Sequence, residues 1–368
     1  MDKMKRLILY SLICALSVFA VTVLAQEEET EVPFTQPTYS ELTSAWTIIP
    51  TDGTTTCARD TQFQFFARRG TSNNLMIYFQ GGGACWSPLT CMEGGTFDPS
   101  VTDDEFDHYD GIFNLQHPDN PLANYNMVFI PYCTADIHIG DQTVNYWDGI
   151  DIAHNGYNNS VAVLDWVYQN FPNPTSILTT GSSAGAYGAI YHAADIITQY
   201  PNARHTVLGD AGIGATPEGW SILETSWNIY ENLSPNIPAW ETVDQSTFTA
   251  DLLYKNSAEA FPNVRFAQFT HYGDEVQMTF YRFGALGKTD QDWLDILYQS
   301  FETLNELENF TSYVAPGRDH TILAYPEFYT LTSNEVRFYD WFVQLLTGNE
   351  KPESVFCDDC GFIPESTQ

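Results

Sequence analysis

Positive charge is what this sequence lacks most. Its 368 residues include 14 Lys and Arg against 47 Asp and Glu, a formal net charge of −33 at pH 7. A surface that acidic repels polyanions, which argues against nucleic acid and anionic membranes as partners. Long apolar runs are nearly as scarce. The one of any length, Leu7 to Val23, follows the basic start Met-Asp-Lys-Met-Lys-Arg and closes on Val23-Leu24-Ala25 before an acidic segment. Basic start, apolar middle and small final residue read as a secretory signal peptide over residues 1–25. The competing reading is an uncleaved anchor, because the run approaches a membrane span in length. No later stretch is apolar enough to span, so no stable membrane association is expected after cleavage, which takes the formal charge to about −35. Residues 26–45 are polar and acidic and read as a flexible leader.

Metal-ligand sets are scarce too. Cys357-Asp-Asp-Cys360 has no second Cys or His pair at ligand spacing nearby, which argues against zinc, and neither metal nor cofactor is expected. With Cys14 set aside in the signal segment, Cys57, Cys85, Cys91, Cys133, Cys357 and Cys360 remain. An even number behind a signal peptide points to three disulfides, with the short loop Cys85 to Cys91 and the terminal pair favoured by spacing.

Apolar material is plentiful: 43% of residues are hydrophobic and 15% aromatic, enough for a large core. "TQFQFFARRG" and "NNLMIYFQGGG" read as two strands joined by a turn, and "NMVFIPYC" as a third. From Gly156 to Asn170, Val161, Leu164, Val167 and Tyr168 fall at helical spacing before Pro172 and Pro174. "TSILTT" is then a strand, "GAYGAIYHAADIITQYP" a helix, and "HTVLGDAG" and "VRFAQFTHYGDE" further strands. Strand and helix alternate with no repeat and no dividing linker. The expectation is one α/β domain over 46–368, a mostly parallel sheet flanked by helices.

The chemistry concentrates in Gly181-Ser182-Ser183-Ala184-Gly185, a Gly-x-Ser-x-Gly pattern between a predicted strand and a predicted helix. A sharp strand-to-helix turn exposes the central serine, and neighbours with little side chain let the turn close. Ser183 is therefore the candidate nucleophile and Ser182 a turn residue. The partners in this class follow in the order Ser, acid, His. Of eight histidines, His320 in "APGRDHTILAYPEF" lies late, on a Gly-containing loop, and is the candidate base. For the acid, Asp274 in "HYGDEVQM" leads, with Asp210 in "LGDAG" and Asp319 as rivals. The loop Gly81-Gly82-Gly83-Ala84 after an earlier strand, together with Ala184 after the nucleophile, is placed to offer backbone N–H groups to an oxyanion. A phosphate cradle at "QGGGACW" is disfavoured, since no Lys-Ser or Lys-Thr follows it.

"YFQGGGACW", "IPYCTADIHIGD", "TTGSSAGAYGA", "GDEVQ" and "DHTIL", in this order, resemble the successive blocks of the pectin acetylesterase family over residues 46 to 330. The resemblance implies an α/β-hydrolase-like fold and metal-independent serine esterase activity. It further implies a Ser183, Asp274, His320 triad with Gly82, Gly83 and Ala184 as oxyanion donors, and an acetylated polysaccharide such as pectin as the ester substrate. Animal carboxylesterases of the family carry Gly-Gly-Trp-Tyr-Cys where this chain has Gly82-Gly83-Ala84-Cys85 followed by Trp86, so the pocket beside that loop differs.

Overall fold

The alternation of strand and helix builds a central nine-stranded sheet with helices on both faces. The structure, a computed structural model, describes residues 35–361 apart from 107, 148, 215–219, 245–247 and 285–286, together with the side chains of 221 and 222. The expected signal segment, residues 1–25, and residues 26–34 of the expected leader lie outside the described residues. In chain order the strands and helices are β1 (Thr47–Pro50), β2 (Gln64–Arg68), β3 (Asn74–Phe79), β4 (Asn126–Ile130), β5 (Gln142–Trp147), β6 (Ile150–His154), α1 (Gly156–Asn170), β7 (Ser176–Ser182), α2 (Ala184–Gln199) and β8 (Arg204–Asp210). There follow α3 (Ser221–Trp227), α4 (Ala250–Ala260), β9 (Arg265–His271), α5 (Glu275–Gly284), α6 (Asp290–Leu304), β10 (Phe310–Ala315), β11 (Thr332–Ser333), β12 (Val336–Arg337), α7 (Phe338–Thr347) and β13 (Val355–Phe356).

The sheet order is β1-β2-β4-β3-β7-β8-β9-β10-β13. Only β1 with β2 and β2 with β4 pair antiparallel; from β4 to β13 every neighbour is parallel. Parallel strands covered on both faces are apolar on both faces. β3 shows this directly, with Leu75, Ile77 and Phe79 in one core cluster and Met76 and Tyr78 in another. The first cluster includes Val163, Leu164 and Val167 of α1, and the second Trp341, Phe342 and Leu345 of α7. β2 and β3 are consecutive strands that do not pair: β4 lies between them, because β3 joins the parallel run.

Packing begins earlier than the composition of the leader implies. Tyr39 N–H donates to Asn170 Oδ1 at 2.7 Å, Trp166 Nε1 donates to Pro37 O at 2.9 Å, and the Tyr39 ring meets Phe171 edge-on. Among the described residues, those from Gln36 onward belong to one compact unit. The Asp136 carboxylate accepts the Gly156 N–H at 2.7 Å and so caps α1, while a Cβ on Gly140 or Gly156 would collide with it. Disulfides join Cys57 to Cys133, Cys85 to Cys91 and Cys357 to Cys360.

Parallel pairing sets the C-terminal ends of β3, β7, β8, β9 and β10 along one edge. In such sheets the functional crevice lies beyond that edge, where strand order reverses on either side of a strand pair. Here the reversal falls between β3 and β7, whose ends carry Gly81 and Ser183.

Candidate active site

β7 is buried along its whole length and passes into α2 through Ser183, whose backbone sits at φ 56°, ψ −123°. Residues with a Cβ rarely occupy that region, and their presence there marks a turn held by its surroundings. The surroundings are tight. A Cβ on Gly185 would fall 1.9 Å from the carbonyl oxygen of Phe79, so only glycine lets α2 start this close to β3. The Ser183 N–H donates to Asp210 O at 2.7 Å, and Ser183 O accepts from Ala186 N at 3.0 Å.

The glycine loop after β3 lies directly against this turn, since a Cβ on Gly81 would come within 2.8 Å of Ser183 Cβ. Gly83 has φ +82°, and a Cβ there would strike Thr96 O at 1.8 Å, which fixes glycine at that position. Gly82 stands against the Tyr132 ring. Ala184 is the first residue of α2, among the amides that have no intrahelical acceptor, at the positive end of the helix dipole. Beyond the loop, Trp86 packs against Phe280 of α5 with ring centroids 6.2 Å apart.

His320 follows β10 on the loop after Ala315. Its Nδ1 bonds the Asp274 carboxylate, 2.8 Å from Oδ2 and 3.0 Å from Oδ1. Its Nε2 is buried and has no hydrogen-bond partner among the described residues. Asp274 is fully buried and leads into α5, whose first amides hold it: Oδ1 accepts from Val276 N at 3.1 Å and Gln277 N at 2.9 Å. The Gln277 amide donates to Oδ2 at 2.8 Å and to Thr270 Oγ1 at 2.9 Å, while its Oε1 accepts the Ile213 N–H at 3.0 Å. Sequence reading left Gln277 without a role; its place one helical turn after the aspartate was the available signal.

Asp210 ends β8 and is equally buried, but it does not touch the His320 ring in the described contacts. Oδ2 accepts the Ser182 hydroxyl at 2.6 Å and the Leu323 N–H at 3.0 Å, and both oxygens lie 3.1 Å from Ile322 N. Burial raises its pKa, opposed by the Ser182 hydroxyl and the Leu323 and Ile322 amides. Ser182 is thus a linker as well as a turn residue, accepting from Tyr78 OH at 2.8 Å. Asp319 is exposed, beside Arg318, which pairs with Glu275.

Other histidines are occupied elsewhere. His138, His154, His192 and His205 are buried, each with a ring nitrogen at a backbone carbonyl, and His271 Nδ1 lies 2.8 Å from Pro316 O. Cys85, Cys91 and His154 come within 4.8 Å of one another, but the sulfurs are joined and both His154 nitrogens are bonded, to Thr134 O and Tyr146 OH. Cys357 and Cys360 are likewise tied to each other rather than available as thiolates.

A family model described as Pectinacetylesterase matches residues 41–262, more than half of the chain. The chain belongs to this family. The matched stretch holds the glycine loop, Ser183 and Asp210 and ends before Asp274 and His320. Among relatives within the family's reach, "Palmitoleoyl-protein carboxylesterase NOTUM" of Schmidtea mediterranea is 26% identical over 140 residues, 34% of this chain and 25% of that protein. Notum1 of Xenopus laevis, with the same description, is 27% identical over 157 residues, 38% of this chain and 31% of that protein. The aligned parts thus span between a quarter and a third of these relatives' own length. Two crystal forms of the Drosophila Wnt deacylase Notum share the fold. Their TM-scores are 0.61 and 0.63 at 17% and 15% identity, covering 80% and 84% of this chain and 90% and 95% of theirs.

Proposed function

We propose that this protein is a secreted serine carboxylic-ester hydrolase that removes acetyl groups from a polysaccharide such as pectin. The observation that carries the reading is the His320 ring, bonded to buried Asp274 through Nδ1, with a buried Nε2 that has no partner among the described residues, on a loop that Asp210 ties to the strained serine turn. Family membership supports an ester substrate, and three disulfides fit an oxidising compartment. Cleavage of residues 1–25 would release a short acidic leader ahead of a catalytic domain whose packing begins near Gln36 rather than residue 46.

In this mechanism Ser183 Oγ attacks the ester carbonyl carbon and His320 Nε2 takes its proton, while Asp274 holds the imidazole through Nδ1–H and stabilises the imidazolium. The Gly82, Gly83 and Ala184 amides stabilise the tetrahedral oxyanion. Collapse expels the alcohol with the proton from His320, and water, activated by the same nitrogen, releases acetate from the acyl-enzyme. None of these steps calls on a metal.

The acidic surface bears on the alcohol. A mature chain of about −35 meeting a polygalacturonate is repelled at low salt, and the repulsion is screened as the Debye length shortens to about 3 Å near 1 M salt. The test is acetate release from acetylated pectin and acetylated xylan, at low and high salt, by the mature protein and by Ser183→Ala. Release from pectin that grows with salt, and its loss in Ser183→Ala, is the expected outcome. Turnover of a small chromogenic ester without acetate from either polymer would move the substrate to other acyl esters or polyesters. Most of the turnover surviving in Ser183→Ala would sink the nucleophile assignment.

A further inference from the structure

Three residues with a side chain are held at positive φ around one buried carboxylate. Ser183 has φ 56°, Ala211 φ 59° and Thr321 φ 64°. Ser183 is bonded to Asp210, Ala211 is its neighbour in the chain, and Thr321 precedes a residue bonded to it. The Asp210 carbonyl takes the Ser183 N–H, Ala211 follows Asp210 and donates to Phe269 O at 2.8 Å, and Thr321 precedes Ile322, whose N–H meets the carboxylate. Strained backbone persists only where its surroundings over-determine it. The Asp210 side chain supplies that constraint on two loops at once, taking Ser182 Oγ–H from the serine turn and the Ile322 and Leu323 N–H groups from the histidine loop.

Every described partner of this carboxylate is a donor. Tyr78 OH extends the line behind it, donating to Ser182 Oγ, which donates to Asp210 Oδ2. A neutral amide at this position replaces one acceptor with a donor: with its oxygen at the Oδ2 place the three groups keep an acceptor but the NH2 faces the Ile322 N–H, and the flipped amide sets the NH2 against the Ser182 hydroxyl and the Leu323 N–H.

We infer that Asp210 is a positioning residue that holds Ser183 and His320 in register across the mouth of the crevice, distinct in task from Asp274, which bonds the imidazole itself. The inference rests on the serine-esterase reading of the same site. Its effect belongs to the orientation of reacting groups rather than to substrate binding, and misplacement on the scale of 1 Å costs about 100-fold in rate.

The test compares Asp210→Asn and Ser182→Ala with wild type on a small chromogenic acetate ester, reading kcat and KM separately beside a thermal melt. Expected is a kcat lower by about 10- to 100-fold in Asp210→Asn and by about 3- to 10-fold in Ser182→Ala, with KM within about twofold in both. Labelling of Ser183 by a phosphonate probe should slow in parallel. Ser182→Ala removes a single hydroxyl and keeps the question open to measurement if Asp210→Asn fails to fold. Wild-type kcat in a folded variant, or a rise in KM with kcat unchanged, overturns the inference. Ser183→Ala and Asp274→Asn serve as controls: if both are crippled while Asp210→Asn and Ser182→Ala match wild type, the positioning role alone fails. If Ser183→Ala keeps its turnover, the underlying reading fails instead.

Discussion

At the scale of the residue, Ser183, the proposed nucleophile, sets folding against chemistry. Its φ of 56° with ψ −123° costs a residue with a Cβ on the order of 1–3 kcal/mol, whereas glycine adopts such angles freely. Glycine gives back about 0.4–1 kcal/mol through the greater freedom of its unfolded chain, so the strain term is the larger. Ser183→Gly is therefore expected to raise stability by about 1 kcal/mol while abolishing turnover, and Ser183→Ala to keep the strain and gain nothing. Thermal or urea melts of the two variants decide it. A Ser183→Gly melt at or below that of Ser183→Ala would show the turn to be relaxed. The local pattern made this serine legible, because the small residues around it answer a collision one can count from the sequence. Order along the chain put Asp274, which the His320 ring bonds, ahead of Asp210 without closing the choice. Asp210 and Asp274 both follow parallel strands ending at one edge, and which of them the His320 ring reaches depends on the path of the loop after β10.

At the scale of the element, two of the three disulfides differ in task, one limiting the unfolded chain and the other steadying a loop. Cys57 to Cys133 spans 76 residues, for which chain entropy gives about 4 kcal/mol, against about 2 kcal/mol for the three-residue separation of Cys357 and Cys360. The short bridge stands elsewhere in the design. β13 pairs with β10, Cys360 O accepts the Gly317 N–H at 2.9 Å, and Gly317 O accepts from Gly273 N at 2.9 Å, next to Asp274. Replacing both members of the long bridge with serine should lower the melting temperature more than the same change in the short one. The short-bridge variant should instead lose a few-fold in kcat, as the loop bearing His320 loosens. Equal losses of stability and unchanged kcat would remove that distinction. Among the elements themselves, the long periodic ones were readable: α1 occupies Gly156–Asn170, the span its apolar spacing marks, and Pro172 and Pro174 follow its end. The hairpin of β5 and β6 was not, because no residue of its first strand is buried, and its second carries only Ile150 and Ile152 as β-branched apolar residues. The position of β4 between β2 and β3 was not legible either, since pairing order is a tertiary matter that neither strand's composition encodes.

At the scale of the whole molecule, two opposing responses to acid can be weighed. Lowering the pH protonates surface carboxylates and relieves the repulsion of a chain at −33, a gain that salt also supplies by screening. Against it stand histidines buried as neutral rings. Burial lowers His138 from 6.5 to about 3 and His154 to about 4, and lowers His192 and His205 as well. Because the folded pKa lies below the unfolded value, the unfolded chain binds the extra proton. Each ring's contribution is therefore complete above pH 6.5 and declines as the pH falls, by about 1.4 kcal/mol per pH unit. Two buried carboxyls run the other way. Burial raises Asp136 from 3.8 to about 6 and raises Asp210, so their ionisation costs stability as the pH climbs, and they offset part of the histidine loss between pH 6 and 4. His138 and His154 together exceed Asp136 over that window, and His192 and His205 add in the same direction. The expected result is a melting temperature that falls steadily from pH 6.5 to 4 and falls as steeply in high salt, because buried groups are little screened. His154→Gln, which replaces a ring that bonds Thr134 O and Tyr146 OH without introducing a titrating group, should flatten the slope by about 1.4 kcal/mol per pH unit. A melting temperature that rises toward pH 4 at low salt, and ceases to do so at high salt, would instead make surface repulsion the larger force in this protein.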